Sequence, residues 1–427
     1  RQVARSMPKQ RDASKSSKPK KSSARKTGLA LAGGGPLGGI YEVGALIALN
    51  EALDGFDFHD ADVYVGVSAG ALVASLLANG VSPGQMARVF IAPEPGQPYL
   101  SPMVFMQPAY REYLRRSLTV PGLLAKSTLR YLRNPIKNGP LESYDLLTRA
   151  IPTAIFDNRP IKNFLADMFS NRGLTDDFRE LEKELYVVAV ELDTGDSVRF
   201  GSPGADDIPI STAVQASTAL PGLYPPVKID DRHFVDGALK RTLHASVALE
   251  AGVDLLFCIN PLVPYDAHAA PQDEEKLHAK LAKGGLPVVL SQTFRSIIHS
   301  RMRIGMSKYD TSYEGAKVVL FEPDRDDSRM FFANVFSYSN RANVCQHAYQ
   351  TTRRDLRLRR EELEPVLDAH GIKFRDGILD DRGRQFTAAL QKPFARESAG
   401  SYQNKVTNAL SGILDRIEAI TGSSRSS

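Results

Sequence analysis

The stretch that decides the fold is Ala61–Gly80, ADVYVGVSAGALVASLLANG. Its first half, Val63–Val67, is a short apolar run rich in valine, which predicts a buried strand. Its second half, Ala69–Ala78, predicts a helix that ends at an Asn-Gly pair. Residues 66–70 join the two as Gly-Val-Ser-Ala-Gly. The stretch therefore predicts a strand–turn–helix unit with Ser68 at the turn.

A serine in such a turn has a specific chemical use. The G-x-S-x-G pattern between a strand and a helix is typical of a nucleophile elbow, where a strained turn requires small flanking residues. The hydroxyl then projects at a helix N-terminus, whose dipole favours developing negative charge. The simpler interpretation is that Ser68 only caps the helix. The strand–turn–helix context favours the nucleophile.

The preceding stretch, Leu29–Leu49 (LALAGGGPLGGIYEVGALIAL), repeats the same plan. A buried strand leads into a glycine turn, and a helix is predicted over Leu37–Leu53. Two such units in succession predict a parallel sheet with right-handed crossovers. Loops that follow neighbouring parallel strands gather at one edge of the sheet, so we expect the glycines beside Ser68.

The glycine spacing also matches the dinucleotide-binding pattern G-x-G-x-x-G. That fold expects an acidic residue at the tip of the second strand, but this strand ends at Ser68. Pro36 lacks an amide that a phosphate cradle would use, and no Gly-Lys-Ser/Thr follows the loop. We therefore favour an oxyanion hole made by the bare amides of Gly33, Gly34 and Gly35.

The rest of the chain predicts an α/β protein with additions. Residues 93–177 predict a helical insertion, with helices at Tyr110–Leu118, Pro121–Leu132, Tyr144–Ala150 and Ile161–Phe169. Further strands are predicted at Leu185–Leu192, Ser197–Gly201, Asp254–Asn260 and Gly315–Glu322. Further helices are predicted at Ile210–Ala219, Lys240–Ala251, Asn340–Leu363, Asp380–Arg396 and Tyr402–Ile420. We expect a mostly parallel sheet flanked by helices in three layers, residues 28–325 as one domain, and a helical C-terminal extension over residues 326–427.

Charge is concentrated at one end of the 427-residue chain. Residues 1–27 hold ten Lys/Arg and one Asp, so the rest of the chain carries a net charge of −4 within a total of +5. This composition predicts a disordered, solvated tail, with contact to anionic lipid or nucleic acid as the alternative. The two cysteines predict buried thiols rather than a disulfide framework or metal site. No apolar run approaches a membrane span, so we expect a cytoplasmic protein with at most peripheral membrane contact.

Ser68 needs a general base, and Asp236 is the best candidate. The stretch HFVDGAL reads as a strand that ends in Asp236 and Gly237, placing the acid at a strand C-terminal end where catalytic groups collect. A carboxylate within hydrogen-bond reach of the serine can take its proton. The alternative is an ordinary helix N-cap. Among the eight histidines, His233 is the first residue of this stretch, whereas His268 and His347 follow no strand with a preceding acid.

Together these residues resemble the patatin-like phospholipase family. The matching blocks, within Gly28–Asn260, are LALAGGGPLG, GVSAG, VDGA and the proline corner ASTALPGLYPP at Ala216–Pro226. The resemblance implies Ser68 as nucleophile and Asp236 as base. It also implies an oxyanion hole formed by Gly33, Gly34, Gly35 and Gly38. The family usually carries Arg or Lys where this chain has Leu37.

The resemblance implies a lipid acyl hydrolase of the phospholipase A or lysophospholipase type. Its substrate would be a glycerophospholipid or lysophospholipid, and it would need no metal or cofactor and bind no specific nucleic acid. Leu37 leaves a catalytically weak lipid-binding regulator open, and an acyltransferase with the same dyad is a further alternative. The segments Pro102–Leu132 and Leu286–Met306 mix apolar and basic residues, as an interfacial helix or a packed helix with a solvated basic face would.

Overall fold

The computed structural model describes residues 25–91, 100–133, 145–170, 173–266, 285–313, 315–327 and 338–391. The helix predicted at Tyr402–Ile420, nearly all of the basic tail and the end of the segment Asp380–Arg396 lie outside these residues. The strands are β1 (Thr27–Leu31), β2 (Leu53–Asp54), β3 (Val63–Val67), β4 (Glu184–Glu191), β5 (Ser197–Phe200), β6 (Val227–Ile229), β7 (Arg232–Asp236), β8 (Leu255–Ile259), β9 (Lys317–Phe321) and β10 (Lys373–Phe374).

Eleven α-helices fall within the described part of the chain. They are α1 (Gly35–Ala52), α2 (Ala69–Ala78), α3 (Pro83–Phe90), α4 (Tyr110–Arg133), α5 (Arg159–Ser170), α6 (Ile210–Ser217), α7 (Ala245–Glu250), α8 (Gly285–Ser312), α9 (Tyr338–Leu358), α10 (Arg360–Asp368) and α11 (Asp376–Asp380). None of the helices in these residues is long and apolar enough to cross a membrane.

The main sheet has eight strands in the order β6-β7-β4-β3-β1-β8-β9, with β5 also paired to β4. Strands β4, β3, β1, β8 and β9 run parallel to their neighbours in that run. Strands β5 and β7 are antiparallel to β4, and β6 is antiparallel to β7. Helices cover both faces, so the predicted three-layer α/β class with a mostly parallel sheet is confirmed.

Helix α1 lies in the larger of the two hydrophobic layers and is buried along most of its length. It packs against α9 so closely that a Cβ atom on Gly44 would lie 2.4 Å from the carbonyl oxygen of Cys345. The Tyr349 hydroxyl of α9 donates to Glu51 at the other end of α1, at 2.6 Å. Both cysteines are free and buried, as predicted. Residues after 337 thus pack directly on the helix that follows the glycine loop.

Several helix predictions were wrong in their bounds. Asn340–Leu363 is two helices, α9 and α10, and the described part of Asp380–Arg396 holds only the end of α11 and a 3₁₀ helix at Phe386–Gln391. The pair Tyr110–Leu118 and Pro121–Leu132 is one continuous helix, α4, with Pro121 on its exposed side. The helix predicted at Lys240–Ala251 begins only at Ala245, because the chain first makes a short 3₁₀ turn and a loop after Asp236. Local sequence preferences do not resolve such a loop when its residues are also good helix formers.

Candidate active site

Ser68 lies in a strained turn between β3 and α2. Its backbone angles are φ 53° and ψ −122°, a region that residues other than glycine rarely adopt. A Cβ on Gly66 would lie 2.5 Å from the Cα of Ala71, and one on Gly70 would lie 2.5 Å from the carbonyl oxygen of Leu31. The glycines on both sides are therefore required by the close approach of backbone to backbone.

The Ser68 backbone is held by a buried hydroxyl from α6. Its amide donates to Oγ of Ser217 at 2.8 Å, and that hydroxyl donates to the carbonyl oxygen of Val188 at 2.6 Å. Ser217 is fully buried, so this bridge ties the strained turn to β4 without water. We expect Ser217 to position the serine. The one sign of it in the sequence is the Ala-Ser pair that begins the proline corner.

Strands β3 and β7 meet end to end beside β4. Val67 of β3 pairs with Val188, and Asp236 of β7 pairs with the next residue, Ala189. Because β5 occupies the other side of Val187–Val190, both strands must lie on the same side of β4. The register therefore brings the last residue of β7 to the turn at the end of β3.

The direction of β7 differs from the one that the sequence analysis assumed for the strand with Asp236. Asp236 ends its strand, as the sequence predicts, but β7 runs antiparallel to β4, so this end does not lie at the carboxyl edge of that parallel strand. Asp236 reaches Ser68 because β7 runs inward from that edge and stops after five residues. Gly237 is needed there, since a Cβ would lie 2.3 Å from the carbonyl oxygen of Val188.

Asp236 is a buried carboxyl group in contact with the serine. Its side chain is 3% exposed, and Oδ1 accepts a hydrogen bond from the Ala238 amide at 2.8 Å. Burial raises the pKa of Asp236 from 3.8 to about 6, against the lowering effect of hydrogen bonds from the Ala238 amide and the Ser68 hydroxyl. A carboxylate with a pKa near 6 is ionised at neutral pH and more basic than an exposed one.

The four glycines of the predicted oxyanion hole fall into two pairs. Gly33 and Gly38 are buried, and their amides donate to the carbonyl oxygens of Thr242 (3.3 Å) and Gly34 (3.0 Å). Gly34 and Gly35 are more accessible, and no acceptor for their amides occurs among the described residues. A Cβ on Gly33 would lie 3.1 Å from the Cβ of Ser68, so the loop does lie beside the serine.

Leu37 follows on the first turn of α1, where the family usually has a cation. Its side chain is half-buried and packs against the larger hydrophobic layer. The loop therefore presents backbone amides and the helix N-terminus, without a positive side chain at this position.

The histidines of the described residues are not hydrogen-bonded to Ser68 or Asp236. Nε2 of His347 lies 2.5 Å from Asp327 on another part of the molecule, and His268 lies outside the described residues. Burial lowers the pKa of His244 to about 4, which keeps that ring neutral. Within the described ranges, no hydrogen bond joins a histidine to Ser68 or Asp236. The carboxylate of Asp236 is instead the group that the strand register brings beside the serine.

Comparison with known sequences identifies the family. The profile of the patatin-like phospholipase family matches residues 29–249, just over half of the chain. The chain therefore belongs to the patatin-like phospholipase family, and membership implies lipid acyl hydrolysis as the reaction class.

Two solved structures are similar to this chain at 16% sequence identity. VipD from Legionella pneumophila aligns over 82% of this chain and 68% of its own, with a TM-score of 0.38. The type III effector protein ExoU aligns over 77% of this chain and 52% of its own, with a TM-score of 0.33.

Proposed function

We propose that the protein hydrolyses fatty acyl esters of a glycerophospholipid or lysophospholipid, with Ser68 as nucleophile and Asp236 as base. The observation that carries this proposal is the strand register that brings the buried carboxyl group of Asp236 to Ser68, which lies in a strained strand–helix turn. A structural serine needs neither the backbone strain nor the carboxylate, so the combination favours catalysis.

The reaction would proceed through an acyl-enzyme. Asp236 takes the hydroxyl proton while Oγ of Ser68 attacks the acyl carbonyl carbon, and the carbonyl oxygen becomes an oxyanion. Collapse of this intermediate breaks the ester bond, and Asp236 returns the proton to the departing alcohol. Water then attacks the acyl-enzyme, again giving its proton to Asp236. Fatty acid leaves and Ser68 is regenerated with its proton.

We assign the oxyanion hole to the amides of Gly34 and Gly35. These two amides begin α1, so the dipole of an 18-residue helix adds to their hydrogen bonds. Gly33 and Gly38, whose amides are engaged elsewhere, serve by leaving space. Gly33 admits the serine side chain, and Gly38 lies against Pro261, which a Cβ there would approach to 3.0 Å.

Replacing Gly34 by alanine should lower kcat for ester hydrolysis by about 10²-fold or more, the usual effect of losing one oxyanion donor. The added Cβ would lie 2.6 Å from Cγ of Pro261 and 2.7 Å from the Cα of Gly38, so the loop must move and its amides with it. The measurement is kcat on a soluble acyl ester, together with thermal unfolding.

Gly39→Ala is the matched control on the same helix. Its Cβ would meet Ala69 at 3.6 Å, an ordinary contact, and alanine favours the helix. We expect activity close to that of the unmodified protein. If folded Gly34→Ala protein hydrolyses as fast as Gly39→Ala, the donors are not in this loop.

The test of the function itself is product analysis. Purified protein should release free fatty acid from phosphatidylcholine or lysophosphatidylcholine, and a fluorophosphonate should label it covalently. Transfer of the acyl chain to added glycerol in place of water would make it an acyltransferase. Lipid binding with neither fatty acid release nor labelling would make it a regulator, consistent with Leu37.

A further inference from the structure

Helix α4 covers the outside of the molecule with two unlike exposed faces, and its function is not explained by the hydrolytic chemistry. We propose that α4 docks the protein on an anionic lipid bilayer. The inference rests on the proposed function in one respect, namely that the substrate is a lipid.

One face of α4 attaches the helix to the protein. Glu112 accepts a hydrogen bond from Oγ1 of Thr153 at 3.1 Å, and the Tyr113 hydroxyl donates to the carbonyl oxygen of Ile155 at 2.5 Å. Further along the helix, Ser127 is fully buried. These contacts fix which sides of the helix face outward.

The second face is an exposed row of large apolar side chains. Each member is between 54% and 73% exposed, and together they form the apolar row: Tyr110, Leu114, Leu118, Leu129 and Leu132. At 100° per residue they fall within an arc of roughly 100°. A single exposed leucine needs no explanation, but a continuous row of them marks an interaction surface.

The third face is positively charged. Exposed cations adjoin the apolar row along the helix and form the basic row: Arg111, Arg115, Lys126 and Arg133. The one acid in α4 is Glu112, and it is turned toward the protein, where Arg116 pairs with it at 2.8 Å. Apolar and basic residues side by side are typical of helices that lie in the headgroup region of anionic membranes.

A neighbouring cleft extends the positive charge. It measures about 640 Å³ and is lined by Arg111 of the basic row together with Lys162 and Lys228. The two acids in its wall, Glu112 and Asp157, are already paired with Arg116 and Arg159. The cleft therefore has the charge and size to receive anionic headgroups next to the helix.

The attachment of α4 leads back to the catalytic strands. The amide of Ala109, just before α4, donates to Ile155, and the amide of Phe156 donates to Leu223. Four residues before Leu223, the carbonyl of Ala219 accepts the amide of Asp236. A short series of backbone hydrogen bonds thus joins the docking helix to the loop beside the proposed base.

Charge favours a bilayer over a second copy of the chain. A symmetric dimer with antiparallel α4 helices packed through the apolar row would place the basic row of each protomer near that of its partner, and like charges at an interface are destabilising. An anionic bilayer can bind the apolar row through its acyl chains and the basic row through its headgroups at the same time.

The experiment is sedimentation with vesicles of phosphatidylcholine alone or with about one third phosphatidylglycerol. Leu114→Ser/Leu118→Ser and, separately, Arg115→Glu/Lys126→Glu should each weaken binding to the anionic vesicles at least about tenfold. Leu192→Ser/Leu358→Ser is the control, because it removes two exposed leucines outside α4. Binding of the unmodified protein should fall as salt rises.

Unchanged vesicle binding in both α4 variants would overturn the proposal. So would a fall in solution mass from dimer to monomer in the leucine variant, which would make the row a protein interface. Hydrolysis of a monomeric short-chain ester separates this result from the proposed function. Loss of vesicle binding with normal ester hydrolysis supports docking, whereas vesicle binding through α4 without any hydrolysis would leave docking intact and remove the hydrolase.

Discussion

Replacing Ser68 by alanine is expected to lower fatty acid release by at least about 10³-fold, because removal of a nucleophile leaves only binding and oxyanion stabilisation. The fold should survive the change. Alanine has the same backbone preferences as serine at φ 53°, and the Ser68 amide keeps its bond to Ser217. Labelling by a fluorophosphonate should disappear with the activity.

Ser75→Ala provides the control for this prediction. Ser75 is a buried serine on the same helix, but its hydroxyl donates only to the carbonyl oxygen of Leu72, at 2.8 Å. Its removal should leave both labelling and hydrolysis near their original levels. Hydrolysis that persists in Ser68→Ala protein, or a label mapped to another residue, would show that the nucleophile lies elsewhere.

Asp236→Asn should be nearly as damaging, with a fall in kcat of about 10³-fold, within the range that a general base contributes. The carboxamide oxygen can still accept the Ala238 amide, so the geometry is kept and only the ability to take a proton is lost. In the unmodified protein, kcat/KM should rise with pH and level off above about 6, the pKa to which burial raises Asp236. If the pKa that governs the rise of kcat/KM lay far from 6, Asp236 would not be the base.

The same substitution should stabilise the protein at alkaline pH. Because burial raises the pKa of Asp236 from 3.8 to about 6, the folded state binds the proton more tightly than the unfolded state. The contribution of protonated Asp236 to the free energy of unfolding is therefore fully present below about pH 4. It is lost as pH rises through 6, and the loss amounts to roughly 3 kcal/mol. In the Asp236→Asn variant, residue 236 does not titrate and makes no such contribution to the pH dependence of stability.

Denaturant unfolding at pH 4 and pH 8 measures this effect. The free energy of unfolding of Asp236→Asn should exceed that of the unmodified protein at pH 8 by more than at pH 4. A variant that is less stable by the same amount at both values would show that burial of the charge has no cost here.

The unit around Ser68 could be predicted to the residue. Strand β3 and helix α2 have the bounds that their sequence indicates, since a valine-rich run and an alanine- and leucine-rich run are local signals. The helix after the glycine loop was also predicted, although α1 spans Gly35–Ala52 rather than Leu37–Leu53. The family and the α/β class, inferred from these blocks, are confirmed.

The closeness of the two residues of the proposed dyad could not be derived in the same way. Ser68 and Asp236 are brought together by the register of β7 on β4, which depends on strand lengths and on β5 occupying the opposite side. No local pattern encodes such a register. Ser217 was missed for a related reason, because its role is set by the distant turn whose amide it accepts. The assignment of the site residues stays a prediction, which the substitutions at Ser68, Asp236 and Gly34 test.

The contact between Gly44 and Cys345 has a consequence for the order of folding. Helix α1 leaves the ribosome before α9, because the helix that covers it is synthesised about three hundred residues later. Until α9 arrives, an apolar face of α1 has no cover, and contacts of such long sequence separation form slowly. A nascent chain therefore holds the turn with Ser68 well before it holds the helix that packs on α1.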